Sequence, residues 1–116
     1  MEASACLPQF LKLYNDIVIF AGQHVITKVH SHHAHEIVIS FDSNVILQTE
    51  SNSIKARGLL LKKDVAHTTK VEGFALFIYV NPETQLGKRL NYLLDINNVL
   101  KIQEAVLELI KTYVSD

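Results

Sequence analysis

The 116 residues are too few for two ordinary domains and enough for one with its own core. With 48% hydrophobic and 20% charged residues the composition is that of a folded globular chain, and four Gly and two Pro exclude a collagen-like or linker-like one. Eleven Lys and Arg stand against twelve Asp and Glu, a formal charge of -1, and the longest basic runs are the pairs Lys62-Lys63 and Lys88-Arg89. A chain so balanced does not grip nucleic acid by neutralising phosphates.

The first residues, MEASACLPQFLKL, carry neither a basic leader nor the long apolar stretch of a secretion signal. The longest apolar run, residues 74–80, is seven residues. A bilayer span needs roughly 20. The single Cys6 has no intrachain partner and no second thiol for a CxxC motif. Together these features predict a soluble protein of a reducing, cytoplasmic compartment, with Cys6 an incidental thiol.

Over residues 10–80 the apolar side chains come in short runs, FLKLY, IVIF, EIVISF, NVILQT, GLLLKK and FALFIYV, rich in Val, Ile and aromatics. These runs predict strands. Breaks are expected at Asn15-Asp16, Ala21-Gly22, Asp42-Ser43-Asn44, residues 50–53, Lys63-Asp64 and Glu72-Gly73. Gaps this short favour antiparallel hairpins, because a parallel pair needs a crossover of about a dozen residues or more. Seven to nine such strands make a barrel or a two-sheet roll. Along the last strand Phe77 and Tyr79 alternate with Leu76 and Ile78, so one pair faces the interior; the aromatic pair reads as core.

At Asn81 the pattern changes. Asn81-Pro82-Glu83-Thr84 offers a capping side chain, a Pro for the first helical position and an acid in the first turn, predicting a helix with Leu86, Leu90 and Leu93 or Leu94 on one face that ends near residues 95–98. A last helix is predicted over about residues 99–114. Its apolar residues form two stripes: Val99, Ile102, Val106, Leu109 and Tyr113, and beside them Leu100, Leu107, Ile110 and Val114. Either one stripe packs on the domain and the other meets a partner, or both lie on the barrel as one broad apolar face.

Four of the six histidines, His30, His32, His33 and His35, fall within VHSHHAHE. In an extended chain, residues two apart share a face, so His30, His32 and Glu36 can converge on one side while His33 and His35 point to the other. His67 can approach from a neighbouring strand. Three imidazoles and a carboxylate suit a divalent transition metal such as Zn, Fe, Ni or Mn, with one or two positions left for water or substrate. The alternative is a set of polar pocket residues satisfied by the backbone, Thr68 or Thr69. Other chemistries find no support: the glycines 22, 58, 73 and 87 are too scattered to cradle phosphate, and no GxSxG or HExxH run is present. Arg57, Lys62 and Lys63 read as ordinary solvated strand positions.

The tract His30-Ser31-His32-His33-Ala34-His35-Glu36 resembles the first cupin motif, HxH followed after three residues by Glu, and residues 58–67 resemble the second, Gly, a strand, and a loop closing on His. Ser43 stands where the first motif ends in Gly, and Lys63 and Asp64 stand where Pro and Gly are expected before the second His. Gly22 lies eight residues before His30 rather than six. The longer frame of HSHHAHEIVIS, RGLLLKKDVAH and FIYVNPETQLGKRL, over about residues 30–90, resembles the amino-terminal domain of AraC-type transcription regulators.

That resemblance implies a mainly β, cupin-like antiparallel double-stranded β-helix, or jelly-roll barrel, over residues 1–82. It implies two carboxy-terminal helices, a dimerisation hairpin over 83–116, as part of the same single domain. The implied function is small-molecule sensing at His30, His32, Glu36 and His67, with a metal at the same four residues as a further possibility. The implied partner is a second copy of the chain through Val99, Ile102, Val106, Leu109 and Tyr113. DNA would be met only through a carboxy-terminal helix-turn-helix half, for which the last residues leave no space. The competing reading is a stand-alone metal-dependent cupin enzyme, an oxygenase or isomerase, using the three His and one Glu.

Overall fold

The structure is a computed structural model that describes residues 10–13, 17–104, 106 and 107. In chain order the elements are strands β1 (Phe10–Leu13), β2 (Ile17–Ile26), β3 (His35–Ser40), β4 (Val45–Thr49), β5 (Ser53–Ala56), β6 (Gly58–Leu61) and β7 (His67–Val80), helix α1 (Gln85–Leu93) and strand β8 (Val99–Lys101). Every pairing is antiparallel.

The strand order is β1-β2-β7-β3-β6-β8, with β4 joining β7 to β5. The 14-residue β7 is the backbone of the barrel. Along one edge it carries β2. Along the other it carries β4 opposite residues 67–71 and β3 opposite residues 75–80. Pairing passes from β4 to β3 at Gly73, and the turn between those strands folds into the gap. There Ser43 Oγ accepts from Gly73 N at 3.2 Å and Asp42 Oδ1 accepts from Phe74 N at 3.2 Å. A Cβ on Gly73 would lie 2.9 Å from Ser43 Oγ, so the approach needs glycine.

Alternation then sorts the side chains. Phe20, Val25, Val38, Val45, Leu47, Leu59, Leu61, Val71, Ala75 and Phe77 fill the barrel. Phe20 stacks on Phe77 with ring centroids 4.6 Å apart and on Tyr79 at 5.9 Å. Aromatic rings and branched chains therefore occupy the interior below the histidine end.

Three expectations are corrected. Ala21-Gly22 and Glu72-Gly73 are not breaks, because β2 and β7 run through them. The irregularity in β2 falls two residues later as a register shift between Gln23 and Val25, with His24 in the left-handed region at φ 53°. Helix α1 starts at Gln85 rather than Pro82, since Thr84 is its cap: Thr84 Oγ1 accepts from Gly87 N at 3.0 Å, while Asn81 Oδ1 takes Glu83 N in the preceding turn. Its buried face is Gly87 and Leu90, continued by Leu94, whereas Leu86 and Leu93 are exposed.

The second carboxy-terminal helix is also corrected where the chain is described. Residues 99–101 form β8, which pairs with β6 in the register Leu61↔Val99 to Leu59↔Lys101. Helical backbone appears only at Glu104, Val106 and Leu107, so α1 is the one full helix among the described residues. Of the proposed interface stripe, Val99 packs on the core, Ile102 lies over Gly58 beside buried Leu107, and Val106 is exposed. Leu109 and Tyr113 lie outside the described residues, as do Cys6, Ile110 and Val114. No helix among the described residues is long and apolar enough to cross a membrane.

Candidate metal centre

Beyond the bulge, the pairing with β7 resumes at Val25 and continues past the end of β2. Thr27 N donates to Thr69 O at 3.0 Å, and His30 and His67 form a two-way backbone bridge at 3.1 and 2.9 Å. A cross-strand pair of this kind puts both side chains on one face, and the two rings stand 4.5 Å apart. The chain then crosses the barrel mouth, where Asp64 N donates to His32 O at 2.9 Å. It enters β3 with Glu36 pointing inward and His35 outward.

The structure thus brings His67 from a neighbouring strand beside His30, His32 and Glu36. Ligand atoms of His30, His32 and His67 lie within 4.8 Å of one another. Glu36 Oε1 is 2.9 Å from His32 Nε2 and 3.4 Å from His67 Nε2. Glu36 and His67 are buried, and the cluster reaches solvent through His30 and His32.

Each imidazole is oriented by the backbone. His30 Nδ1 donates to Lys28 O at 2.7 Å, His32 Nδ1 to Ala34 O at 3.0 Å and His67 Nδ1 to Val65 O at 2.7 Å. A carbonyl only accepts, so Nδ1 carries a proton in all three rings and Nε2 is the nitrogen turned toward the cluster. The three Nε2 atoms and the Glu36 carboxylate then face one another, with His32 Nε2 hydrogen-bonded to Glu36 Oε1 at 2.9 Å. His67 Nε2 is buried and has no hydrogen-bond partner.

Such a set needs positive charge at its centre, either an added proton or a metal ion. The donor set fits a metal: three imidazoles, each tied back through its second nitrogen as metal-ligating histidines are, with the Glu36 carboxylate beside His32 and His67.

The electrostatics agree. Burial opposes charge on Glu36, but the His32 and His67 imidazoles outweigh it and hold the carboxyl below its ordinary range. Burial likewise opposes charge on His67, yet the Glu36 carboxylate raises it above the usual histidine value. His30 is lowered, chiefly by burial.

The other two histidines of the tract serve the frame. His33 faces outward and its Nδ1 meets Asp64 Oδ2 at 3.0 Å. Asp64 sits at φ 62°, the conformation usually reserved for glycine. It therefore makes the turn for which the second motif normally uses Gly. His35 is fully buried behind the barrel wall, accepting from Lys63 N at 3.1 Å, and burial lowers its pKa. Thr68 and Thr69 do not satisfy the cluster; Thr69 instead pairs with Thr27. Arg57 is drawn to Glu104 Oε2 at 2.8 Å and Lys63 to Asp64 at 3.5 Å.

One residue near the centre was read only as core. Tyr79 is the register partner of Glu36 on β7 and shares its inward face. Its ring meets His32 edge-on at 4.9 Å. Burial, the Glu36 charge and hydrogen bonding to Glu36 all push its phenol far above the ordinary range, so it stays protonated. Strand alternation places it inside; the register that sets it opposite Glu36 is a tertiary fact.

Known structures with this architecture exist. The chain matches the protein NMB1881 from Neisseria meningitidis with a TM-score of 0.53 at 12% identity, covering 64% of this chain and 82% of that one. It matches an RmlC-like cupin from Shewanella frigidimarina with a TM-score of 0.50 at 7% identity, covering 64% and 74%. The fold is a cupin fold. No protein-family model matches the sequence, and no curated protein does. At identities this low the likeness is one of architecture, and the chemistry of this cupin barrel has to be argued from its own residues.

Proposed function

We propose that this chain is a small-ligand-binding cupin domain whose site is centred on a divalent transition metal, Zn, Fe, Ni or Mn, held by His30, His32, His67 and Glu36. The observation that carries the proposal is the convergence of three imidazoles, each tied back through Nδ1, on one buried carboxylate. A bound metal supplies a Lewis acid that polarises an oxygen ligand or lowers the pKa of bound water. The chain's own contribution is the orientation of the rings, a dry floor made by Phe20 and Phe77, and entry past His30 and His32.

We assign this site a sensing role of the AraC type. Support comes from the sequence resemblance over residues 30–90 and from the inventory of buried titratable groups. Besides Glu36 and His67 of the cluster, the fully buried one among the described residues is His35, which lies on the far side of the wall. A homodimer through the carboxy-terminal stripe belongs to the same proposal, now resting on Val106, Leu109 and Tyr113. The metal-ready donor set favours a second reading, a stand-alone metal-dependent cupin enzyme.

Elemental analysis of protein purified without a metal-affinity tag tests the common core of both readings. The expected result is one equivalent of transition metal, lost in a His30→Ala and His67→Ala double variant that keeps its strand content. Metal-free wild-type protein that takes up none on addition would remove the proposal.

A further inference from the structure

We infer that His35 is a positioning residue for the metal centre: from the outer side of the barrel wall it fixes residues 63–65, which in turn hold His32 and His67. The inference rests on the metal reading and deepens it. Three successive residues form the link. Lys63 N donates to His35 Nδ1 at 3.1 Å, Asp64 N donates to His32 O at 2.9 Å, and Val65 O accepts from His67 Nδ1 at 2.7 Å. A shift of this short segment would therefore move the backbone of one ligand and turn the ring of another.

His35 is the buried anchor of the segment. It is fully buried on β3, next to Glu36 and opposite Val80 of β7. A backbone N–H only donates, so the lone pair that meets Lys63 N is on Nδ1 and the ring proton is on Nε2. That Nε2 is buried and has no hydrogen-bond partner. An apolar side chain would fill the same place without leaving a polar atom unpaired, so what the imidazole adds is its acceptor. Lys62 N, one residue earlier, donates to Asn98 O at 2.9 Å. Beyond it the chain turns at Asp64, where the remaining side-chain ties are weaker: Asp64 Oδ2 meets His33 Nδ1 at 3.0 Å and Lys63 Nζ at 3.5 Å, but Asp64 and His33 are exposed, and ion pairs in water contribute little. In metal sites the groups that orient the ligands are worth about 10- to 100-fold in affinity.

The test is titration of metal-free protein with Co(II), reading both affinity and the visible absorption of the bound ion. Wild type is compared with three variants. His35→Leu keeps close to the buried volume and removes the acceptor. His35→Asn fills less of the space, but its Oδ1 stands where Nδ1 does and accepts from the same N–H. The His30→Ala and His67→Ala double variant removes two ligands. The expected result is tight binding of one Co(II) by wild type, binding about 10- to 100-fold weaker with an altered absorption band in His35→Leu, recovery of most of the affinity and of the wild-type band in His35→Asn, and none in the double variant. The far-UV circular dichroism should be the same in all four.

Equal affinity and an identical band for wild type and His35→Leu, or a His35→Asn variant no better than His35→Leu, would overturn the positioning role while leaving the metal centre standing. Failure of the wild type to bind Co(II), or equal binding by the double variant, would overturn the metal reading and this inference with it. A second measurement needs no change at the site. In metal-free wild-type protein, hydrogen exchange resolved by amide should find the Lys63 N–H protected, because the segment has to be held before the metal arrives. A Lys63 amide that exchanges at the unprotected rate would overturn the inference even if the His35 variants do not fold.

Discussion

Protons and metal ions compete for the same lone pairs, and this competition gives the cluster a pH dependence of definite sign. Because Glu36 raises the pKa of His67 above 6.5, its Nε2 stays protonated further into the neutral range than that of a free histidine. Binding a metal must displace that proton, so affinity rises with pH. Between pH 6 and pH 8 the affinity for Zn(II), measured by chelator competition, should tighten about tenfold or more. An affinity flat across that interval would mean that these imidazoles are not the ligands.

Stability of the metal-free protein is a poorer reporter, and the signs show why. The raised His67 contributes stability that is full below 6.5 and lost as pH rises through its folded value. His30 and His35, both lowered, contribute stability that is present above 6.5 and lost as pH falls below it. The two effects oppose each other near neutrality. At this scale the sequence was informative about His30, His32 and Glu36, although the chain joining them is loop and bend rather than the extended strand that the alternation assumed. It was silent on the Nδ1 tethers, which depend on where Lys28, Ala34 and Val65 turn their carbonyls, and on the register that places Tyr79 opposite Glu36.

At the level of elements, strand runs were legible wherever β-branched and aromatic residues alternate, as in β3, β4 and β7. Their continuity was not. Gly22 and Gly73 look like breaks but lie inside long strands, Gly73 because the turn between the neighbouring β3 and β4 occupies the space its missing side chain leaves. The carboxy-terminal helix was overestimated for a similar reason. Val99 and Ile102 fit a helical spacing, yet the open edge of β6 takes the segment as β8, and a partner edge outweighs local propensity.

Helix α1 offers a sharp check of how its start is locked. A methyl group on Gly87 would overlap the Asn81 carbonyl and come within 2.6 Å of Pro82 Cα, both backbone atoms of the preceding turn. Gly87→Ala should therefore destabilise the fold by about 1–3 kcal/mol, against the stabilisation that Ala normally brings to a helix. Chemical denaturation would read the loss as a lower midpoint at unchanged slope. A variant as stable as wild type would show that α1 does not dock through this face.

Across the whole molecule, the cupin barrel explains how groups far apart in sequence share one small volume. β7 pairs at one end with β4 and at the other with β3, and its extension toward β2 sets His67 against His30, while Glu36 arrives from β3. The mouth is polar and the floor is packed, so the barrel presents a site at one end and a core behind it. X-ray absorption spectroscopy of the Zn(II)-loaded protein examines that arrangement most directly. A first shell of nitrogen and oxygen at about 2.0–2.2 Å, with the multiple scattering of three imidazoles and a carboxylate contribution that disappears in Glu36→Gln, is the predicted result. Zinc bound through fewer than three imidazoles, or with the same first shell in the His30→Ala and His67→Ala double variant, would contradict it.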